Sequence, residues 1–144
     1  EYSDELEQGD FLVRNIVRVD PERRAIVVAD LLEVGQTVRF QLRDADAASS
    51  DLTDVLRRWR ARHPLGEVSG ALVFSCNGRG ERFFTSGDHD ALTVSKELDG
   101  AGVVGYFAAG EIGPVGGQNY LHGFSAAVVA FGELFGAASS GPPA

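Results

Sequence analysis

The chain has 144 residues, of which 44% are hydrophobic and 24% charged, and its formal net charge is −8. This composition excludes general disorder, and the excess of acidic residues argues against nonspecific binding to nucleic acid or to anionic membranes. A single cysteine excludes an intrachain disulfide, so we expect a cytoplasmic location. The chain opens on Glu1 without a methionine, and we expect it to be one domain of a longer protein.

The first part of the chain predicts an acidic lead-in followed by three strands. Residues 1–9 form the lead-in, and the domain itself is expected to span residues 10–135. Residues 11–19 alternate between apolar and polar side chains apart from a break at Asn15 and Ile16, and residues 25–29 form a second short strand after a proline turn. Residues 37–43 alternate without fault, which predicts that Val38, Phe40 and Leu42 face inward. The pattern therefore predicts a three-strand unit with one solvent-exposed face.

The middle of the chain predicts two helices around a buried strand. Asp44 is placed to cap an amphipathic helix, in which apolar residues recur at helical spacing as far as Trp59. The continuous apolar run of residues 69–76 is typical of a central strand covered on both faces. Residues 81–84 are expected to form a short further strand, and Asp88 is placed to cap the second helix.

The last third predicts two buried strands that form a hairpin-like unit. Residues 103–109 and 124–131 are rich in small and β-branched apolar side chains, and a glycine-rich loop over residues 110–123 joins them. Residues 136–144 have the composition of a flexible tail. The whole pattern predicts an α+β domain with a mixed or mostly antiparallel sheet, in the order β-β-β-α-β-α-β-β, with two main helices.

The first candidate site is the segment Cys76-Asn77-Gly78-Arg79-Gly80, which follows the central strand. Glycines let backbone N–H groups point one way, and a guanidinium matches a carboxylate or a phosphate, so the segment outlines an anion pocket. A tight turn carrying a surface arginine explains the same residues. Likewise, the cysteine is either a nucleophile or, as is more common, a small core residue.

The second candidate site is the loop after the next strand, where Gly110 precedes Glu111. This carboxylate is expected either to pair with a ligand ammonium or with Arg79, or to lie in solvent. Asn119 and His122 are candidates for ligand hydrogen bonds or for pinning their own loop, and His122 is also a candidate base for a reactive cysteine. No metal-ligand spacing and no nucleotide-binding fingerprint is present, so we expect neither a metal nor a cofactor.

Several separated motifs resemble the C-terminal domain of FIST proteins, named for F-box and intracellular signal transduction. The resemblance covers nearly the whole chain and rests on Gly9-Asp-Phe-Leu-Val-Arg-Asn15, Gly35-Gln-Thr-Val-Arg-Phe40, Cys76-Asn-Gly-Arg-Gly80, Gly105-Tyr-Phe-Ala-Ala-Gly-Glu-Ile-Gly-Pro114 and Leu121-His-Gly123. It implies a sensory module that binds small ligands such as amino acids and performs no catalysis. It also implies a partner, either an N-terminal FIST domain of the same protein or other signalling domains.

We therefore predict a small-ligand-binding sensory domain of intracellular signal transduction, with an amino acid as the candidate ligand, and not an enzyme. The predicted ligand-binding residues are Cys76, Asn77, Gly78, Arg79, Gly80, Gly110, Glu111, Asn119 and His122. The main alternative is an interaction or scaffold module that docks a partner through the outer face of the first three strands, at Arg14, Arg18, Arg39 and Arg43. A third hypothesis is an enzyme that depends on Cys76.

Overall fold

A computed structural model describes residues 11–63 and 65–134. The elements are β1 Ile16–Asp20, β2 Ala25–Val28, α1 Ala45–Arg62, β3 Leu65–Cys76, a 3-10 helix Asn77–Arg79, α2 Glu81–Phe84, α3 His89–Glu97, β4 Val103–Ala108, β5 Glu111–Val115, β6 Gln118–His122 and β7 Ala126–Leu134. This is an α+β fold with mixed strand pairing, as predicted. The predicted lead-in of residues 1–9 and the tail of residues 136–144 lie outside the described residues.

The core is built on a three-stranded sheet in the order β4-β3-β7. β4 runs parallel to β3, and β7 runs antiparallel to it. β3 is therefore the central strand, as its unbroken apolar run predicted, but in the described part of the chain helices cover only one of its two faces. Helices α1 and α3 contact each other, and α3 also packs on β3 and β4. The core between sheet and helices consists of Leu52, Leu56, Val68, Ala71, Val73, Val94, Leu98 and Ala101.

Helix α1 begins where the sequence predicted a cap. The Asp44 side chain accepts a hydrogen bond from the backbone N–H of Ala47 at 2.7 Å, which satisfies one of the free donors of the first turn. Leu52 and Leu56 lie one turn apart on the buried face, and Trp59 packs against the same cluster. The helical spacing of these apolar residues accounts for the packing of α1 on the core.

The close approach of β4 to β3 depends on Gly105. A Cβ atom at this position would lie 1.8 Å from the carbonyl oxygen of Val73, far inside contact distance. Because that oxygen belongs to the backbone of the central strand, it cannot move aside without breaking the sheet. Glycine at residue 105 thus sets the spacing of the two parallel strands.

The hairpin predicted between the last two apolar runs is wrong, because β3 lies between β4 and β7. The predicted loop of residues 110–123 is instead a second hairpin, β5–β6, in which Glu111 faces His122 and Val115 faces Gln118. Its turn is formed by Gly116 and Gly117, with φ of +57° and +81°. Two adjacent residues with positive φ form the two-residue turn that matches strand twist, and glycine adopts it without strain.

β1 and β2 form the predicted hairpin, although β1 begins only at residue 16. The third predicted strand, residues 37–43, is wrong, since these residues form no strand. No strand in the described part of the chain lies beside them, and a strand without a neighbour has no partner for its backbone hydrogen bonds. Phe40 and Leu42, predicted to face inward, are 75% and 96% exposed.

The short strand predicted at residues 81–84 is the helical turn α2. The N–H groups of Phe83 and Phe84 both donate to the carbonyl oxygen of Gly80, so the chain coils back on itself before it reaches a sheet edge. Thr85 ends the turn in the left-handed region with φ of +60°. Within the described ranges, no helix has both the length and the apolar character that a membrane span requires.

Candidate functional site

The ends of β3 and β4 lie side by side. Cys76, the last residue of β3, is paired in register with Ala108, the last residue of β4. The segment that enters β7 closes the same edge, because the N–H of Cys76 donates to the carbonyl oxygen of Ser125 at 2.9 Å. The two segments that the sequence singled out, after residues 76 and 109, therefore leave the sheet at one edge, which is where α/β proteins commonly bind ligands.

The 3-10 helix Asn77–Arg79 forms the floor of this edge. The Cys76 thiol is buried, and its Sγ accepts a hydrogen bond from the N–H of Gly78 at 3.5 Å. Gly78 packs against the ring of Phe124, and a Cβ atom there would lie 2.7 Å from that ring. Phe124 itself has a φ of +63°, a conformation that bulky residues rarely adopt. A strained aromatic residue thus packs against the 3-10 helix.

Arg79 is buried and forms an ion pair with Asp90 of α3. Its Nε and Nη2 donate to the two carboxylate oxygens at 2.8 and 2.9 Å, and its Nη1 lies 3.4 Å from the carbonyl oxygen of Phe124. Ser75 donates to the same carboxylate at 2.8 Å. The guanidinium predicted to receive a ligand carboxylate is thus occupied by a protein carboxylate, and it holds the loop to the helix.

Burial acts to raise the pKa of the Asp90 carboxyl, but the hydrogen bonds and charge of Arg79, together with hydrogen bonds from His89 and Ser75, outweigh it and lower the pKa. His89 extends the network: its Nδ1 lies 3.0 Å from the Asp90 carboxylate and its Nε2 lies 2.9 Å from Ser49 Oγ. Its ring also stacks on Phe84 at 3.7 Å between centroids. Sequence reasoning missed this network, whose only signal was a serine on the buried face of β3.

Arg43 lies over the crevice, which the sequence analysis did not foresee. Its guanidinium carbon is 4.4 Å from the ring centre of Phe83 and 4.0 Å from that of Phe124, and its Nη2 donates to the Gly78 carbonyl oxygen at 2.6 Å. The predicted position on the outer face of a third strand is wrong, because residues 37–43 form no strand. The crevice has a volume of about 600 Å³ and is lined by Arg43, Asn77, Gly78, Gly80, Glu81, Arg82 and Phe83.

Glu111 is buried next to the segment that enters β7, and it is 3% exposed. Its Oε2 accepts hydrogen bonds from the Ser125 hydroxyl at 2.8 Å and from the Ser125 N–H at 3.4 Å. Its Oε1 is buried and has no hydrogen-bond partner within the described part of the chain. Of the alternatives for this residue, the solvent-exposed carboxylate is therefore wrong, and Arg79 is paired with Asp90 rather than with Glu111. The segment 124–125 connects the two predicted sites, because it contacts both Arg79 and Glu111.

The remaining predicted residues lie on the β5–β6 hairpin. His122 is paired with Glu111 across the strands, but its Nε2 lies 2.9 Å from the Gly113 carbonyl oxygen, so it pins its own hairpin. Asn119 is exposed and lies three residues further towards the turn, about 10 Å along the strand from His122 at about 3.3 Å per residue. Gly110 allows close packing, since a Cβ atom there would lie 2.9 Å from the Leu121 side chain.

A smaller cavity of about 250 Å³ lies between the β1–β2 hairpin and β6. Arg14 crosses it, with Nε 2.5 Å from the Asp30 carboxylate and Nη1 3.2 Å from the Leu121 carbonyl oxygen. The hydrogen bond from the Arg14 side chain to the Leu121 carbonyl oxygen joins the segment before β1 to β6. In residues 11–63 and 65–134, no three His, Cys, Asp or Glu side chains come together in a group that could hold a metal ion.

Comparisons with known proteins place these features in a family. A family model described as the FIST C domain matches residues 3–114. The chain is 51% identical over 124 residues to the uncharacterized protein Rv0628c of Mycobacterium tuberculosis and 48% identical over 124 residues to the uncharacterized protein Mb0898c of Mycobacterium bovis. Each match covers 86% of this chain but 32% of the relative, so the chain spans about a third of the length of these curated relatives.

Proposed function

Because the chain belongs to the FIST C domain family, which is associated with signal transduction, we propose that it is a sensory domain that binds a small polar ligand at the common end of β3 and β4. The ligand class that fits this edge best is a free amino acid. The proposed contacts are a carboxylate in the crevice beneath Arg43 and an ammonium at Glu111. The proposal includes an N-terminal FIST domain or another signalling domain as the partner that receives the signal.

The unpartnered oxygen of Glu111 carries the proposal. A buried carboxylate oxygen that lacks a hydrogen bond costs roughly 1–3 kcal/mol or more, and native proteins contain few such atoms. An ammonium group offers three donors and a compensating charge, so it would remove this cost. The strained backbone of Phe124, which precedes the Ser125 that donates to Glu111, is a second feature typical of a ligand site.

The lining of the crevice favours a carboxylate. Arg43 and Arg82 contribute two positive charges against the one negative charge of Glu81. Cation–π contacts with Phe83 and Phe124 hold the Arg43 guanidinium in place, so little side-chain entropy remains to be lost when a ligand binds. In the proposed site, Arg79 does not bind the ligand. Its ion pair with Asp90 holds the 3-10 helix Asn77–Arg79 in position instead.

Isothermal titration of the full-length protein with each of the twenty amino acids tests the function. We expect at least one to bind, and the change Glu111→Gln to weaken it about 10- to 100-fold, because a hydrogen bond to a charged group contributes roughly 1.5–3 kcal/mol. Glu22→Gln, at an exposed turn, is the matched control and should leave the affinity unchanged. Absence of heat with all twenty amino acids would refute the amino-acid assignment.

The alternative function is an interaction module, and fewer of its four predicted arginines are available to a partner than the sequence suggested. Of its four arginines, Arg14 is held by Asp30 and Arg43 by two aromatic rings. Arg18, whose side chain is 63% exposed, is ion-paired with Asp20 at 3.7 Å, so Arg39 is the candidate that presents positive charge on the exposed surface. If this surface docks an acidic partner, the change Arg39→Glu should reduce capture of that partner without changing amino-acid binding.

A further inference from the structure

Within residues 11–63 and 65–134, no helix lies on one of the two faces of the three-stranded sheet. α1 and α3 cover the face that bears Ala71, Val73 and Val128. Residues at the alternate positions of the three strands point the other way, since successive side chains of a strand lie on opposite faces. The register places Leu72 beside both Val104 and Val129. The open face consists of Leu72, Phe74, Val104, Tyr106, Val129 and Phe131.

The open face is apolar and exposed. Val104 and Tyr106 are both 66% exposed, and Val129 and Phe131 are 45% and 50% exposed. None of its six side chains is charged, although the protein has a formal net charge of −8. Contiguous apolar side chains of this kind mark a surface that another layer covers, because the water-exposed face of a sheet normally carries polar side chains.

Residues 37–43 point to the same conclusion independently. They have the alternation of a half-buried strand, with Val38 55% exposed, Phe40 75% exposed and Leu42 96% exposed, and no strand among the described residues pairs with them. A sequence that so clearly prescribes a strand needs a neighbour to supply its backbone hydrogen bonds. The missing element is therefore one that offers both an apolar surface and a free strand edge.

We propose that the open face and residues 37–43 are the docking surface for the remainder of a longer polypeptide of the kind that the relatives possess. Roughly two-thirds of the length of each relative lies outside the part that this chain matches. That length is enough for at least one further domain. An apolar layer from it covers the open face, and one of its strands pairs with residues 37–43.

Hydroxyl-radical footprinting read by mass spectrometry tests the proposal on unmodified proteins. The full-length protein and the 144-residue chain are labelled in parallel, and the reactivities of Tyr106, Phe131 and Phe40 are compared. Leu92 on α3, which is 63% exposed, is the internal reference. We expect the three aromatic side chains to react at least about five times more slowly in the full-length protein, with the reactivity of Leu92 unchanged. Equal reactivity in both proteins would overturn the proposal.

A matched pair of substitutions gives a second readout. Val104→Lys should lower the thermal midpoint of the full-length protein by several degrees more than Leu92→Lys, because only residue 104 would enter a covered apolar layer. If both variants shift the midpoint equally, the open face is not covered. If light scattering instead shows that the full-length protein dimerises and that protection of Tyr106 disappears on dilution, the occupant is a second copy and the proposal is wrong. If a variant does not fold, the footprinting decides.

Discussion

Removal of the Asp90 carboxylate should destabilise the protein more than any surface substitution. Arg79 and Asp90 are 7% and 5% exposed and are joined by two hydrogen bonds of 2.8 and 2.9 Å. The change Asp90→Ala leaves the guanidinium buried without its partner, which costs roughly 3–5 kcal/mol in comparable buried pairs. Because a domain of ordinary size has about 5–15 kcal/mol of net stability, this loss is a large part of the total.

Urea unfolding measures the effect, with Trp59 as the probe. It is the single tryptophan of the chain and packs against the core, so its fluorescence reports unfolding. With an m-value of about 2 kcal/mol/M, a loss of about 4 kcal/mol lowers the midpoint by about 2 M. The control Arg57→Ala breaks the ion pair with Glu97, in which the Arg57 side chain is 62% exposed, and should leave the midpoint almost unchanged.

The double variant Arg79→Met with Asp90→Leu distinguishes the net contribution of the ion pair from the cost of leaving one buried charge without its partner. Hydrophobic side chains of similar volume often replace a buried ion pair at no cost, since neither charge then has to be desolvated. We expect this variant to unfold within about 1 M urea of the wild type, provided that the two new side chains pack. A wild-type midpoint for Asp90→Ala would refute the reasoning, because it would mean that the pair is solvated rather than buried.

Three further predictions concern Gly105, Asp90 and Cys76. Gly105→Ala should cost about 3 kcal/mol or more in urea unfolding, because its Cβ would overlap the Val73 carbonyl oxygen, whereas Gly102→Ala has no atom within 4 Å of its Cβ and should unfold much like the wild type. Acid titration should show the free energy of unfolding falling as the pH drops below about 4, because the pKa of Asp90 is lower in the folded protein than its ordinary 3.8. The stabilisation is present above 3.8 and disappears as the pH falls through the folded pKa. The change Asp90→Asn should flatten this pH dependence. Finally, the buried Cys76 thiol should react with iodoacetamide at least about tenfold more slowly than in the urea-unfolded chain, and equal rates would revive the hypothesis of a reactive cysteine.

Local sequence patterns determined the elements whose stabilising contacts lie within a few residues of one another. The cap at Asp44, the apolar spacing of α1 and the unbroken run of β3 each depend on residues a few positions apart, and each was predicted. The two adjacent glycines, Gly116 and Gly117, could have predicted a hairpin turn in the same way, but the polar residues around them favoured the prediction of a loop. The side-by-side ends of β3 and β4 result from their parallel pairing, which no local pattern specified.

Tertiary structure alone decided the partners. Arg79 was predicted to bind a ligand because nothing near it in sequence shows that Asp90, eleven positions later, returns to it from α3. Arg43 was predicted on the outer face of a strand, but among the described residues no strand pairs with its segment, and its side chain lies over the crevice. Side-chain type and spacing prescribe what a segment can do, but the free energy of a buried charge or of a strand edge depends on a neighbour that only the folded chain supplies.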